Sequence, residues 1–519
     1  MTEFDPDLSQ RLERAGISVQ LTAEVLGRIN RGDYFDEPVT VDGIPDIDGR
    51  SILDMRALTS WRGDTDRTRH QADLLSIPGH FIDTATQSAK SLVFDRSLLR
   101  SIGDYLLPTV SYGILNGGSA TSYADMTKNS QFDPEIFDLY RDIIGRVAPK
   151  LEGKPKGTTP AFYDETGHPG PDFIELKMRQ VLLTAFTNQR RFESSDAGRA
   201  LANIEALFPM FQMTSVTNND QIARTYAEYR RSPYIAQLIE QTGLDVTNVL
   251  TGVQPMIAAF SHSSEGVPRS IFVNAMGRPD RVLPLPGGHG QCFTVLRGVF
   301  SELLAMGKKF VTIGNVDNLG NSVDPIEVAI LALSGRMAGF DFSFRTPVDV
   351  KGGILVRESN GGLTCADIGP AVSPDMVRTA EMSGSRVLFN CASGIFSLST
   401  IFETLDEIAA AIPLRLSDQD KDAGRYSQAE QITWEIIGIL DDPLIFAVQK
   451  NARFLASKLL IENILTSGVF LDAPRFVAGS AEMLAKRRVA YGLHEGLVRA
   501  LTGVFGLQLR DGTWSPREI

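Results

Sequence analysis

The sequence has few of the features that mark secreted, membrane-spanning or nucleic-acid-binding proteins. Only three cysteines occur in 519 residues and none form a CxxC pair, which argues against a disulfide framework or a cysteine-built zinc site. No apolar run is long enough to cross a bilayer, and the N-terminus MTEFDPDLSQ has neither the basic start nor the apolar core of a signal peptide. We therefore expect a cytoplasmic protein without a membrane partner.

Positive charge is also in short supply. The chain has 51 basic and 63 acidic residues, a net charge of -12, and no run of lysines and arginines long enough to suggest a nucleic-acid-binding surface. This balance argues against nucleic acid as a partner. An acidic protein that binds nucleotides must gather its cations locally, so single lysines in conspicuous settings are candidates for function.

The length exceeds what one hydrophobic core usually serves, so we expect two or three domains. We predict a mostly helical segment over 1–104, a catalytic α/β domain over 105–460, and a mostly helical segment over 461–519. In the middle part strands alternate with helices, which is typical of a mostly parallel sheet covered on both faces. From Ile401 onward we expect mainly helix.

The apolar patterns and turn signals predict individual elements. The predicted strands are Pro108–Leu115, Thr247–Phe260 (one strand or two), Lys309–Ile313 and Gly353–Arg357. The predicted helices are Leu8–Ile29, Phe173–Phe192, Ala197–Phe208, Asp220–Gln241 with a break near Pro233, Thr294–Met306 and Ile326–Ala338.

The first candidate site is a glycine loop at the end of the strand Pro108–Leu115. Glycines in this position let the backbone approach a phosphate, and successive N–H groups can hold an anion. It is not a Walker loop, since no GxxxxGK[ST] is present. A simple Gly-Gly turn is the alternative interpretation. The candidate residues are Asn116, Gly117, Gly118, Thr121 and Ser122, with Lys128 shortly after them.

Two further motifs follow later in the chain. Gly288-His289-Gly290 offers a flat surface for a base or ribose, and a tight loop with a solvated histidine is the alternative. Asp317, in Asn315-Val316-Asp317-Asn318, follows a buried strand, where a carboxylate suits magnesium held together with substrate phosphates. The alternative there is an Asx turn that closes the strand.

Two lysines stand in otherwise apolar surroundings, Lys351 before Gly352-Gly353 and Lys458 after Arg453-Phe454-Leu455. Either is equally explained as a surface lysine whose stem lies on the protein. No HExxH or GxSxG motif occurs. The sequence thus offers no metalloprotease or serine-hydrolase signature.

Taken together and in this order, the motifs resemble those of the UTP–glucose-1-phosphate uridylyltransferase family, which includes the UDP-N-acetylhexosamine pyrophosphorylases. The family patterns LNGGLGTSMG, GHGD, NIDNLGATVD, ADVKGG and SRFLPVK are similar to LNGGSATSYA, GHGQ, NVDNLGNSVD, VDVKGG and ARFLASK in this chain. A weaker similarity links the family's QLET to Thr433-Trp434-Glu435 and its FNTNN to Phe389-Asn390-Cys391-Ala392-Ser393. The phosphate loop departs from the family at Ser119, Ala120, Tyr123 and Ala124.

The resemblance implies a glycosyltransferase-A-like, Rossmann-related fold with a mixed, mostly parallel sheet and helical N- and C-terminal parts. It implies the transfer of a uridylyl group from UTP to a sugar 1-phosphate, with Mg²⁺ as cofactor. The implied roles are catalysis for Lys458, Lys351 and Lys128, nucleotide binding for the glycine loop and the Gly288–Gly290 segment, sugar-phosphate binding for Asn315, Asn318, Asn390 and Glu435, and metal binding for Asp317.

Two expectations remain open at this point. Because Cys391, Ala392 and Ser393 replace the family's polar residues, the acceptor is expected to be a modified sugar or a cyclitol phosphate rather than glucose 1-phosphate. Because the phosphate loop is altered, a non-catalytic nucleotide-sugar binding protein on the same fold is the alternative function.

Overall fold

The computed structural model describes residues 4–34, 41–164, 166–192, 208–346, 349, 351–369, 371–421 and 423–518. Its strands, in chain order, are β1 Val41–Gly43, β2 Ile52–Asp54, β3 Ser60–Asp64, β4 Thr86–Ser88, β5 Ser91–Asp95, β6 Val110–Leu115, β7 Met210–Ser215, β8 Leu250–Gln254, β9 Met256–Ala258, β10 Pro284–Pro286, β11 Phe310–Asn315, β12 Ala338–Phe344, β13 Gly352–Glu358, β14 Leu363–Ile368, β15 Leu388–Ser397, β16 Arg415–Lys421, β17 Gly424–Glu430, β18 Leu444–Val448, β19 Leu507–Arg510 and β20 Thr513–Pro516.

The described α-helices, numbered likewise, are α1 Pro6–Arg14, α2 Val19–Asn30, α3 Thr65–Leu74, α4 Gly79–Thr84, α5 Arg96–Leu106, α6 Thr121–Ala124, α7 Met126–Phe132, α8 Pro134–Leu151, α9 Phe173–Phe192, α10 Asn219–Tyr229, α11 Ala236–Thr242, α12 Cys292–Val295, α13 Arg297–Ala305, α14 Pro325–Ser334, α15 Pro374–Met382, α16 Leu398–Glu403, α17 Leu405–Ala411, α18 Lys450–Arg453, α19 Leu460–Thr466, α20 Pro474–Val477 and α21 Ala481–Gly503. Short 3-10 turns at Lys156–Thr158, His289–Gln291 and Thr433–Gly438 also bear on the site.

One large mixed sheet organises the molecule, with its main strands in the order β2-β18-β12-β15-β11-β6-β7-β8. Neighbours β11, β6, β7 and β8 run parallel, as do β12, β18 and β2. Strand β15 lies between β11 and β12 and is antiparallel to both. The carboxyl ends of the parallel strands therefore meet at one edge of the sheet.

The central strands are buried along their whole length because helices cover both faces. All six residues of β6 and of β7 are buried, as expected for parallel strands in a two-sided α/β sheet. One face carries α9 near Tyr112 and Ile114, with α5 and α14 beside them, and the other carries α12, α13, α16 and α17. The predicted fold class is confirmed.

A separate helical cluster begins directly after the glycine loop. Helices α6, α7 and α8 follow Ala120 directly, and they pack on α19, α20 and the first half of α21 around their own apolar core. Tyr140 and Ile464 lie fully buried in that core. The segment that returns from α8 re-enters the sheet edge at Lys154–Lys156, where it pairs with the glycine loop.

Most predicted elements in the described residues are confirmed. Helix α10 ends at Tyr229 and α11 begins at Ala236, on either side of Pro233, and Gly335 ends α14 in the left-handed conformation before β12. The predicted helix Ala197–Phe208 lies outside the described residues except for Phe208. Among the described helices, none is long and apolar enough to cross a membrane.

The expectation of mainly helix after Ile401 is wrong. Strands β16 and β17 form a polar hairpin, and β18 adds a buried strand to the main sheet. The hairpin strands have no strongly apolar face, and β18 is only five residues long. Neither therefore shows a clear strand-like alternation of apolar and polar residues in the sequence. The two terminal segments also contain strands, namely β1–β5 in the first and the hairpin β19–β20 in the last. The domain boundaries themselves stay a prediction.

Candidate active site

Polar residues lie at the ends of three parallel strands at the carboxyl edge of the sheet. Asn116 to Gly118 follow β6, Gln254 ends β8, and Asp317 follows β11. Ligands in α/β folds bind outside this edge. The structure thus brings the predicted glycine loop and the predicted acidic loop together, because β6 and β11 are adjacent.

The glycine loop is held from behind and open in front. The N–H of Lys156 donates to the Gly118 carbonyl (3.0 Å), and the N–H of Ala120 donates to the Lys154 carbonyl (2.8 Å). Gly118 is exposed, and a Cβ placed on it would meet nothing within 4 Å. Thr121 and Ser122 are exposed as well, so the loop keeps a free surface for a ligand.

Asp317 forms an ion pair with Lys156, a residue that the sequence analysis missed. The Lys156 ammonium lies 3.0 Å from Asp317 Oδ2, and it also donates to the Ser457 carbonyl (2.6 Å). Its Nζ lies 4.4 Å from the ring centroid of Tyr123, a cation–π contact. Only 12% and 17% of the two charged side chains are exposed, so the pair is shielded from water and from salt.

Lys458 lies in a segment that runs beside the Asp317 loop. The N–H of Leu319 donates to the Leu455 carbonyl (3.2 Å), and the N–H of Leu455 donates to Asn318 Oδ1 (2.9 Å). The N–H of Lys458 donates to Glu462 Oε2 (2.7 Å), while its side chain is exposed. Burial raises the pKa of Glu462, and both Lys458 and Lys156 act against that rise. Lys156 and Lys458 therefore both lie close enough to Glu462 to act on the same carboxylate.

Lys128, the other predicted lysine, lies on α7. Its ammonium donates to the Ser122 hydroxyl (2.7 Å) and its side chain is exposed. It is thus next to the glycine loop, while the ammonium that meets Asp317 is that of Lys156. The catalytic role that the resemblance implies for Lys128 stays a prediction.

Two of the predicted asparagines have structural roles instead. Asn318 is fully buried: its Nδ2 donates to the carbonyls of Cys391 and Arg453, and its Oδ1 accepts from Gly320 and Leu455. Asn116 is also fully buried and donates to Gln212 Oε1 (3.2 Å). Neither amide presents a free surface to a sugar phosphate or a nucleotide, contrary to the prediction, because both side chains point into the protein. Asn315, which ends β11, is partly exposed.

The Gly288–Gly290 segment packs against the protein itself. A Cβ on Gly288 would lie 2.3 Å from the Gln431 carbonyl oxygen, and one on Gly290 would lie 2.7 Å from the Gln431 carbonyl carbon. The Gly288 carbonyl accepts from Gln254 Nε2 (2.7 Å), and the Gln254 Oε1 lies 3.4 Å from where a Cβ on Gly117 would be. Gln254, which the sequence analysis did not single out, thus links this segment to the glycine loop.

His289 is held as a neutral ring. The N–H of Thr433 donates to Nδ1 (3.1 Å), and the Thr433 hydroxyl donates to the His289 carbonyl (2.8 Å). Since Nδ1 accepts, the ring proton is on Nε2. Burial lowers the pKa of His289 to about 4, so the ring carries no charge near neutral pH.

The remaining predicted residues lie around β13 and β15. Lys351 is exposed, and Gly352 adopts a φ of 123° with the Phe389 ring 2.7 Å from where its Cβ would be. Asn390 is next to Phe389; its Oδ1 accepts from the N–H of Ala392 (2.9 Å). Because Ile354 of β13 pairs with Phe389 of β15, Lys351 and Asn390 lie near each other.

Glu435 is buried and paired with Arg415, whose guanidinium lies 2.7 Å from Glu435 Oε1. Burial raises the pKa of Glu435 and Arg415 opposes that rise. This ion pair, rather than a sugar, is the partner of the oxygen Oε1. The other oxygen, Oε2, is buried without a hydrogen-bond partner, and the predicted sugar-phosphate contact of Glu435 stays a prediction.

The residues near Asp317 can be tested for their fit to magnesium. In the described part of the chain, no group of three or more His, Cys, Asp or Glu side chains could hold a metal ion. Asp317 is a single carboxylate at a strand end. That suits Mg²⁺, which keeps several waters and is usually held by one or two carboxylates together with substrate phosphates.

Comparisons with known proteins agree with the motifs. Residues 270–460 match the family model described as UTP–glucose-1-phosphate uridylyltransferase. A probable UTP–glucose-1-phosphate uridylyltransferase of Schizosaccharomyces pombe is 36% identical over 195 residues, which is 36% of this chain and 31% of that protein. The predicted resemblance to this family is therefore confirmed for residues 270–460.

The extent of these matches is limited. The Solanum tuberosum UTP–glucose-1-phosphate uridylyltransferase is 28% identical over 182 residues, 35% of this chain and 38% of that protein. The chain thus spans about a third of the length of these curated relatives.

Among solved structures, the UDP-glucose pyrophosphorylase of Leishmania major, known in open and closed forms, covers 89% of this chain and 78% of its own, with a TM-score of 0.52 and 14% identity. A UDP-glucose phosphorylase of Trypanosoma brucei covers 89% of this chain and 77% of its own, with a TM-score of 0.52 and 14% identity. At this identity the likeness establishes the fold alone.

Proposed function

We propose that this protein is a magnesium-dependent uridylyltransferase that joins UMP from UTP to a sugar 1-phosphate and releases pyrophosphate. One observation carries the proposal: a shielded Lys156–Asp317 ion pair lies between an open glycine loop and the Lys458 segment, in a chain whose residues 270–460 match the family. A cytoplasmic location is part of the proposal and rests on the cysteine content.

The chemistry suits this arrangement because the reaction needs charge and alignment rather than a base. An oxygen of the sugar 1-phosphate attacks the α-phosphorus of UTP, the bond to the β-phosphate breaks, and pyrophosphate leaves with that electron pair. The attacking oxygen is already anionic near neutral pH. Catalysis then rests on holding the reactants in line and on neutralising the charge that gathers between them.

Lysines supply that charge. An ammonium about 4 Å from a phosphate oxygen contributes roughly 4 kcal/mol at an effective dielectric near 20. Lys156 is already localised beside the glycine loop by Asp317 and Ser457. Lys458 and Lys351 are exposed, and we expect their ammonium groups to contact the reacting phosphates. Ordering the Lys156 ammonium in advance lowers the entropy lost when the nucleotide binds.

Asp317 is the residue that we expect to hold magnesium with the phosphates of UTP. The ion, when bound, neutralises charge on the phosphate oxygens of the nucleotide. Lys156 orients the Asp317 carboxylate while the site is without nucleotide. Gly118, Thr121 and Ser122 offer the exposed backbone and hydroxyls that the triphosphate needs.

The most specific part of the proposal is the identity of the acceptor, the sugar phosphate that receives the uridylyl group. The Asn390 side chain already accepts from Ala392, and its Nδ2 lies 3.5 Å from the weak acceptor Cys365 Sγ. Few free hydrogen-bonding groups therefore remain there for the ring hydroxyls of glucose. We expect a modified sugar or a cyclitol phosphate to be the better acceptor.

The test is pyrophosphate release from magnesium-UTP with a panel of glucose, galactose, N-acetylglucosamine, deoxy-sugar and cyclitol phosphates. We expect turnover with at least one acceptor, and glucose 1-phosphate not to lead in kcat/KM. If glucose 1-phosphate leads by about tenfold, roughly 1.4 kcal/mol, the acceptor proposal is wrong. UDP-sugar binding without any turnover would instead establish the non-catalytic alternative.

A further inference from the structure

A lysine is buried beneath the loop that carries Asp317. Lys177 lies on α9, in a run of apolar residues that face the core, and it is 0% exposed. Burial lowers the pKa of its ammonium to about 7. A lysine in such a position is costly to the fold unless it makes strong compensating contacts, so its contacts call for an explanation.

The contacts of Lys177 all lead to one short loop. Its Nζ donates to the carbonyls of Asn318 (2.6 Å) and Asn321 (2.9 Å). The Tyr112 hydroxyl donates to the same Asn321 carbonyl (2.5 Å), and the Tyr112 ring centroid lies 5.7 Å from Nζ. These carbonyls belong to the turn that begins one residue after Asp317. Without Lys177, the Asn318 carbonyl would keep only the N–H of Asn321 as a donor (3.2 Å), and the Asn321 carbonyl would keep only the Tyr112 hydroxyl. Each buried carbonyl would thus lose one of its two hydrogen bonds.

The opposite side of this loop contacts the second half of the site. Leu319 and the Asn318 side chain are bonded to Leu455 and Arg453, which precede Lys458. Lys177 therefore contacts this loop from the core side. The loop determines both the direction of the Asp317 carboxylate and the position of the Lys458 segment. Asp317 also lies within electrostatic range of Lys177.

We propose that Lys177 is a positioning residue: a buried hydrogen-bond donor that fixes the backbone after β11 so that Asp317 faces the bound nucleotide and its metal. It touches neither substrate nor metal itself. The proposal rests on the proposed function for the role of Asp317, whereas the fixing of the loop is a property of the free protein.

Helix α9 provides a matched control. Arg179, two residues from Lys177, is also a buried cation that donates to backbone carbonyls, in this case those of Phe505, Gly506 and Tyr234. Those carbonyls lie in the C-terminal part of the chain and before α11, away from Asp317. Lys177→Met and Arg179→Met each remove one buried cation from the same helix, but only the first removes it from the Asp317 loop.

The first measurement is hydrogen–deuterium exchange of the free protein. Several N–H groups of residues 316–321 are bonded within the loop or to Leu115 and Leu455, so their exchange reports on the loop. We expect Lys177→Met to speed exchange of 316–321 by at least tenfold, and Arg179→Met to speed only the peptides around 505–508. Unchanged exchange of 316–321 in Lys177→Met, or equal acceleration in both variants, would overturn the proposal.

The second measurement is the magnesium concentration that half-saturates pyrophosphate release at saturating UTP. It should rise at least tenfold in Lys177→Met and stay within twofold in Arg179→Met, and an unchanged value in Lys177→Met contradicts the proposal. If Lys177→Met does not fold, Tyr112→Phe removes one donor from the same carbonyl; we expect about threefold faster exchange of 316–321, and no change there counts against us. Absence of turnover in the wild type would contradict the proposed function, while the exchange result still decides the role of Lys177.

Discussion

The two glycine-rich segments of the site look alike in sequence and differ in the structure. Gly118 faces open space, is exposed, and has nothing within 4 Å of a Cβ placed on it. Gly288 and Gly290 lie against the backbone of Gln431. A Cβ placed on Gly288 or on Gly290 would be 2.3 or 2.7 Å, respectively, from the nearest Gln431 atom. In the first segment glycine leaves open space beside the backbone, and in the second it lets two protein segments touch.

The electrostatics of the two regions differ in the same way. Around the glycine loop lie the charged residues Lys156, Asp317 and Lys458. The second segment contains one histidine that is held neutral by Thr433 and by burial. Converging phosphates need positive charge near them. The proposed function therefore places the chemistry in the first region and the positioning of the nucleotide in the second.

The largest expected effect is that of Asp317→Asn. It keeps the shape of the side chain but removes the charge that pairs with Lys156 and that we expect to hold magnesium. Magnesium-dependent turnover should be abolished while the far-ultraviolet spectrum and melting temperature stay close to those of the wild type. Unchanged magnesium–UTP binding in calorimetry together with unchanged turnover would remove Asp317 from the chemistry.

Loss of a single lysine charge should come next. Lys156→Ala, Lys458→Ala and Lys351→Ala should each slow the chemical step by about 100-fold or more, roughly 2.7 kcal/mol, because each removes charge from the transition state. Lys154→Ala is the matched control, an exposed lysine of the same segment as Lys156, and should stay within about twofold. The measurement is the single-turnover rate of each variant. A wild-type rate in any of the first three variants would show that its lysine does not take part in the chemical step.

The comparison of the glycines predicts opposite responses to one added methyl group. Gly290→Ala should destabilise the fold by about 1–3 kcal/mol, because its Cβ meets the Gln431 backbone. Gly118→Ala should change stability by less than about 0.5 kcal/mol and instead raise the KM for UTP. Urea unfolding and steady-state kinetics of both variants check this, and equal stability losses would contradict the distinction.

The smallest effect concerns pH. The folded pKa of His289, about 4, lies below its unfolded value near 6.5, so the unfolded state binds more protons between these values. The contribution of His289 to stability is therefore complete above about pH 6.5 and is lost as the pH falls toward 4. His289→Asn keeps an acceptor for the Thr433 N–H without this titration. Between pH 7 and pH 5 the wild type should lose more stability than His289→Asn; parallel losses would show that His289 does not titrate in this way.

The sequence allowed the sheet edge to be predicted because its polar motifs follow apolar strands directly. Asn116 and Asp317 both come after buried strands, and the ends of adjacent parallel strands necessarily meet. The direction of each side chain could not be predicted in the same way. Asn116 and Asn318 point into the protein because of partners distant in the chain, Gln212 for the first and Leu455 for the second.

Two important lysines escaped prediction for different reasons. Lys156 is separated from the glycine loop by the helices α6, α7 and α8, and only its setting in Gly-Lys-Pro-Lys-Gly was available as a signal. Lys177 interrupts an amphipathic helix and resembles a surface residue until its carbonyl partners are known. Contacts between segments distant in the chain decide both cases.

The central claim is transfer of the uridylyl group, and labelled UTP tests it most directly. The protein is incubated with magnesium, an acceptor sugar 1-phosphate, and UTP labelled in separate experiments at the α- or the γ-phosphorus. We predict that the α-label appears in the UDP-sugar and the γ-label in pyrophosphate, in equal amounts and at equal rates. Recovery of the γ-label as orthophosphate, or of both labels in unchanged UTP across the whole acceptor panel, would contradict the account.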